Sequence, residues 1–192
     1  MDSMVRRGIG RRLRRYGYAL SMCIPSLVGA QPIPGAAPAP GNASSTVLSR
    51  AASAAGIRRC GPAIDAVSSR MFTGAADADV LLDWDRTNPD GGPFFSMSGM
   101  DFQRGAALLS LATVPAPTGG CAILVERISS APESCQEVAR TELPGYHPTK
   151  LVRAVTVYTH PARPRETVTL VDSPPSCLVL RRQVEFHWGA AQ

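Results

Sequence analysis

Apolar positions recur along this chain in two periods, and the change between them falls near Asp79. Before it, Val47, Leu48, Ala51, Ala55 and Ile57 trace a weak helical face. Gly61-Pro62 interrupts that face, and proline is well placed as the first residue of a new helix. Ile64, Val67, Met71 and Phe72 then follow at i, i+3, i+7 and i+8. The spacing predicts helix over Thr46–Phe72 in two pieces, its stripe turned to a core, with Gly74 as the stop.

From Asp79 onward the pattern is that of strands. Val80–Trp84 and Phe94–Ser98 read as short strands joined by a turn over Asp85–Gly92. Ala106–Val114 and Ala122–Ile128 are apolar runs of strand length, and Pro115, Pro117, Gly119 and Gly120 reverse the chain between them. In Ser130-Ala-Pro-Glu a serine can cap a helix, expected over roughly Pro132–Leu143 and ended by Pro144-Gly145. Leu151–Thr159, Glu166–Val171 and Leu178–Phe186 supply three further strands, with prolines confined to the connections. Val155, Val157 and Thr159 face one way and Thr156 and Tyr158 the other, which suits a sheet with one wet face. No internal repeat or heptad is visible. The expected class is α+β: an antiparallel sheet of about five to seven short strands, two or three helices packed on one side, and disulfides.

Residues 1–30 carry a different signal. Six arginines between Arg6 and Arg15 precede a short apolar segment, Tyr16–Leu27, and the small residues Val28-Gly29-Ala30. This is the layout of a secretory signal peptide cleaved before Gln31, and the apolar run is too short to span a bilayer comfortably. A lipoprotein signal at Cys23 would want a small residue where Met22 stands. A twin-arginine signal would want apolar residues where Arg11-Arg12 is followed by Leu13-Arg14-Arg15. The arginines suit a mitochondrial transit peptide, but the apolar run and small-residue ending suit export better. Residues 31–45 form a Pro/Ala-rich linker with too little apolar surface to bury, and residues 46–192 are expected to be a single domain. No transmembrane segment is expected after cleavage.

Export changes the charge reading. The whole chain has 20 Lys+Arg against 15 Asp+Glu, whereas residues 31–192 have 14 of each. The basic balance belongs to the targeting segment, and a nucleic-acid role, which needs a basic face on the folded domain, is disfavoured. Cys60, Cys121, Cys135 and Cys177 remain beyond the cleavage site, an even number that reads as two disulfides in an exported chain. Three pairings are open. Cys121–Cys135 with Cys60–Cys177 is favoured, because a strand–turn–helix brings the first pair together locally. No CxxC occurs and no histidine lies at ligand spacing from a cysteine, which argues against zinc.

Two stretches carry candidate chemistry. In Asp83–Gly92 the oxygens of Asp83, Asp85, Asn88 and Asp90 resemble a calcium loop, because hard cations want several oxygens from one tight turn. Asn88 stands where an EF-hand loop requires glycine, and Phe94 where it requires glutamate. An Asn-Pro-Asp-Gly turn joining two strands accounts for the same residues. Trp84, Phe94, Phe95, Met97 and Phe102, with Met100, form the densest aromatic and methionine patch in the chain. Its ordinary role is core filling, and its functional reading is a surface for a protein partner. Acid pairs within Asp83–Asp101 would serve a hydrolase if they faced one another. His147, His160 and His187 neighbour prolines or the C-terminus, and no Gly-x-Ser-x-Gly elbow is present. The sequence therefore favours an exported accessory protein acting through a protein partner in the periplasm or outside the cell, without a cofactor. A small secreted hydrolase and a structural cation-binding module, calcium its candidate ion, are the alternatives.

Overall fold

The computed structural model describes residues 45–189. The expected signal peptide, and all but the last residue of the expected linker, lie outside the described residues. Helices α1 (Val47–Ala54) and α2 (Gly61–Met71) precede four strands, β1 (Asp77–Trp84), β2 (Phe94–Phe102), β3 (Gly105–Pro115) and β4 (Cys121–Ala131). Helix α3 (Cys135–Glu142) precedes four more, β5 (His147–Val152), β6 (Val155–Thr159), β7 (Glu166–Ser173) and β8 (Ser176–Trp188). All eight pair antiparallel in one sheet of order β1-β2-β3-β4-β8-β7-β6-β5. The class is α+β as expected, but the sheet is larger than the five to seven strands anticipated. One reason is Arg153-Ala154, a turn that divides the apolar run Leu151–Thr159 into separate strands.

Register fixes which face each residue takes, because directly paired residues point to the same side. Phe94 pairs with Thr113, Leu111 with Val125, Ser129 with Val179 and Leu170 with Val179. All of these but Ser129 are buried, and the helices pack on that side alone. Under α1 and α2, Leu48, Ile64 and Val67 meet Phe94, Leu109 and Leu111. Under α3, Val138 and Leu143 meet Val168, Leu170 and Val179. The apolar positions that suggested helix in Ile64–Phe72 are thus core contacts, reached through a period of 3.6 against a partner of period two.

Local chemistry sets the helix ends. Thr46 caps α1 by accepting the Ser49 N–H, and its hydroxyl also meets Ser49 Oγ and Ser68 Oγ at 3.0 and 2.9 Å. Ser49 Oγ and Ser68 Oγ lie 2.9 Å apart, so three hydroxyls satisfy one another where α1 crosses α2. Helix α3 starts later than expected. Strand β4 runs on to Ala131, and Ser134 rather than Ser130 is the cap, accepting the Glu137 N–H. Serine with glutamate three residues on is the sequence mark of such a start.

The disulfides are Cys60–Cys121 and Cys135–Cys177, not the pairing favoured from sequence. Cys121 and Cys135 flank the full length of β4, and an eleven-residue strand holds its ends apart. Each bond instead joins the start of a helix to the start of the fourth strand of its own half. The two halves therefore share one plan: helix, four-strand meander, and a helix-to-strand disulfide. The repeat is one of topology and escaped detection in the residues.

The seam between the halves is β4 against β8. At its middle Glu126 faces Arg182 on the open side at 3.4 Å, and Arg127 faces Arg181 on the helix side. Arg127 lies over the Phe102 ring, and Arg181 reaches Glu142 of α3 at 2.7 Å. Arg70 of α2 donates to Gln183 of β8. Among the described residues no helix is long and apolar enough to cross a membrane.

Strand alternation makes a direct prediction for neighbouring phenylalanines. Phe94 is fully buried and Phe95 is 49% exposed. Urea unfolding of Phe94→Ala should show a loss of about 3–5 kcal/mol, against less than about 1 kcal/mol for Phe95→Ala. Removing Cys60–Cys121 by double serine substitution should lower stability by about 4 kcal/mol on the loop-entropy account of its 61-residue separation.

Candidate functional site

The face of the sheet opposite the helices has no cover among the described residues, and strand pairing orders it into rows. One row runs Asp77, Asp101, Ala106, Ser130, Leu178, Val171 across β1 to β7. The next runs Asp79, Gly99, Leu108, Ile128, Leu180, Thr169. A third holds Leu81, Met97, Ser110 and the Glu126–Arg182 pair, and a fourth Asp83, Phe95, Ala112, Leu124, Val184. Leu81, Phe95, Met97, Leu108, Leu178 and Phe186 are exposed large apolar side chains on this face. The wet face anticipated from alternation is therefore largely apolar at its β1–β4 end.

The first two rows enclose a groove of about 430 Å³. Its floor is apolar, with Leu108, Ile128 and Leu178 beside the small residues Gly99 and Ala106, and one rim carries Asp77, Asp79 and Asp101. A side chain at Gly99 would meet nothing within 4 Å, so glycine there leaves the groove open and relieves no crowding. Asp77 and Asp101 are directly paired across β1 and β2, an arrangement of like charges that works against the sheet. Asp77 and Asp79 each accept the next residue's backbone N–H, at 2.9 and 2.8 Å, on a strand at the edge of the sheet. None of the three takes part in an ion pair among the described residues.

The residues singled out from sequence are sorted by this geometry. Phe94 is a core residue, and Trp84 and Phe102 pack against the same core from the helix side. Phe95 and Met97 alone of that patch reach the open face. Period-two alternation divides what the sequence presents as one cluster. Asp83 shares the open face with Asp101 but stands six residues further along, about 20 Å at the rise of a strand. That separation is far beyond the reach of an acid pair acting on one bond.

In the Asp83–Gly92 loop Asp85 and Asp90 are engaged by protein donors. Asp85 Oδ1 accepts the Thr87 hydroxyl at 2.7 Å and the Thr87 N–H at 2.8 Å. These bonds hold the Asp85 carboxyl below the usual carboxylate range, the hydroxyl contributing most. Asp90 Oδ1 accepts the Arg58 and Arg59 N–H groups at 2.7 and 2.6 Å, stapling the loop to the α1–α2 connection. The Asn88 carbonyl accepts the Gly91 and Gly92 N–H groups. No group of three His, Cys, Asp or Glu side chains suited to a metal ion forms among the described residues.

His160 stacks edge-on against Tyr146, accepts the Ala162 N–H at Nδ1, and adjoins Arg163, which lies over the same tyrosine ring. This cluster closes the β6–β7 turn. The groove was not anticipated from sequence. Its traces there are the alternating Asp77-Ala78-Asp79-Val80 and a glycine inside a strand at Gly99, a frequent mark of close approach by another group. No family model, curated protein or solved structure matches this chain.

The Asp85–Thr87 contact is testable by titration. Thr87→Val removes the hydroxyl bond, and the carboxyl signal of Asp85 followed by NMR should then titrate at higher pH than in the parent. Because the folded pKa is the depressed one, the contact stabilises the fold above the unfolded-state pKa, and that contribution fades as pH falls through the folded value.

Proposed function

We propose that this protein is an exported, non-enzymatic binding protein that engages a protein partner through the open face of its sheet, in the periplasm or outside the cell. The observation that carries the reading is the run of exposed Leu81, Phe95, Met97 and Leu108 on adjoining strands of a face without cover among the described residues. Contiguous apolar surface of this kind marks interaction sites, and Phe and Met are enriched at interface cores. Two disulfides suit an oxidising compartment, and the arginine-rich leader with its short apolar segment suits export. The near neutrality of residues 31–192 suits a partner recognised through apolar contact rather than through a uniform field.

Crosslinking in the native cell envelope, followed by mass spectrometry, tests the proposal. The parent chain and Asp85→Asn should capture the same protein in stoichiometric amount. The double variant Phe95→Asp/Met97→Asp, with unchanged circular dichroism, should lose it by at least tenfold, as expected when charges enter an apolar interface centre. Capture that survives the double change removes the open face as the binding surface.

A further inference from the structure

The acid-rimmed groove differs from the rest of the open face. Its floor is apolar, its 430 Å³ volume suits a small molecule, and its lining includes three carboxylates and no lysine or arginine. The carboxylates are strung along a rim, and among the described residues no three ligating side chains converge. Nor does the negative charge serve the sheet, since Asp77 directly opposes Asp101. A line of carboxylates that form no ion pair among the described residues, beside an apolar floor, complements a ligand that joins a positive group to an apolar body. We infer that the groove binds a small organic cation of this kind, with its ammonium or guanidinium at Asp77, Asp79 and Asp101 and its apolar part over Leu108, Ile128 and Leu178. The inference rests on the reading of the open face as a binding surface and names the ligand class of one part of it.

Gly99 provides the decisive variant. A side chain there has free space around it and projects into the groove, so Gly99→Val should fold as well as the parent while filling the site. The full chain is titrated with decyltrimethylammonium below its micelle concentration, with decyl maltoside as the neutral counterpart and spermidine as a cation lacking an apolar body. Calorimetry gives the affinities, and amide shifts at Gly99 and Leu108 give the location. The cationic amphiphile should bind with those shifts, weaken as salt rises, and bind at least tenfold more tightly than either comparator. Gly99→Val should abolish binding with an unchanged melting temperature. Asp77→Asn/Asp101→Asn should weaken it by roughly tenfold while leaving the melting temperature equal or higher.

Decyl maltoside binding as tightly, with no effect of the double asparagine variant, overturns the inference and leaves the open-face reading intact. Spermidine binding as tightly, or cationic binding unchanged in Gly99→Val, overturns it by showing charge attraction without a groove. Shifts from a basic peptide but not from the amphiphile overturn it in favour of a peptide site. No shift from any probe overturns it as well, and the open-face reading is then judged separately by the Phe95→Asp/Met97→Asp capture.

Discussion

The antiparallel pairing of β4 with β8 is the constraint on which the structure depends. Two four-stranded meanders, the first with two helices and the second with one, each with its own disulfide, become one sheet only through this ladder. Its register sets Ile123 and Val125 on the same side as Val179, and that places the three described helices on one face. A slip of one residue would exchange the faces of the second half and turn α3 to the opposite side. The middle of the seam is polar on both faces, with Glu126 and Arg182 on one and Arg127 and Arg181 on the other. The two apolar cores are distinct clusters, linked across the seam by these polar side chains, by backbone hydrogen bonds and by the open-face pairs Leu124–Val184 and Ile128–Leu180.

One-sided helix packing has a second result. A sheet covered on one face must meet water or a partner with the other, and the usual solution is polar residues at alternate positions. Here β1 and β2 alternate strictly, yet the outward set includes Leu81, Phe95 and Met97 as well as aspartates. The outward positions are divided into acidic and apolar zones, and the groove lies where the two meet. This division makes the open face a candidate for recognition and gives its parts different chemistry.

Much of the architecture was legible because its signals are local. The break at Gly61-Pro62 and the stripe through Ile64, Val67 and Met71 reappear in the elements observed, whereas β6 shows no alternating burial, with Val155 and Val157 on the open face and Tyr158 against the core. What was missed depends on distance or parity. Strand β2 continues through Gly99 and Asp101, residues that discourage strands, because β1 and β3 flank it on both sides. The disulfide partners lie 61 and 42 residues apart and are set by sheet order, which local spacing does not encode. The aromatic patch looked continuous because closeness in sequence hides the alternation that sends Phe94 inward and Phe95 outward. The groove draws on β1, β2, β3, β4 and β8, so no stretch of the chain contains it.

The placement of the disulfides also determines how the molecule carries tension. A pull applied between its ends passes from Cys60 to Cys121 and from Cys135 to Cys177 through covalent bonds, bypassing most of both meanders. The segments left to lengthen in the described chain are 45–60, 121–135 and 177–189, and the last two include nearly all of β4 and β8. With both bonds formed, such a pull bears on the β4–β8 ladder at the end where Cys121 pairs with Trp188, and the strands within each cross-linked loop lie outside the path. Reduction opens those loops and converts a short, stiff tether into a long one.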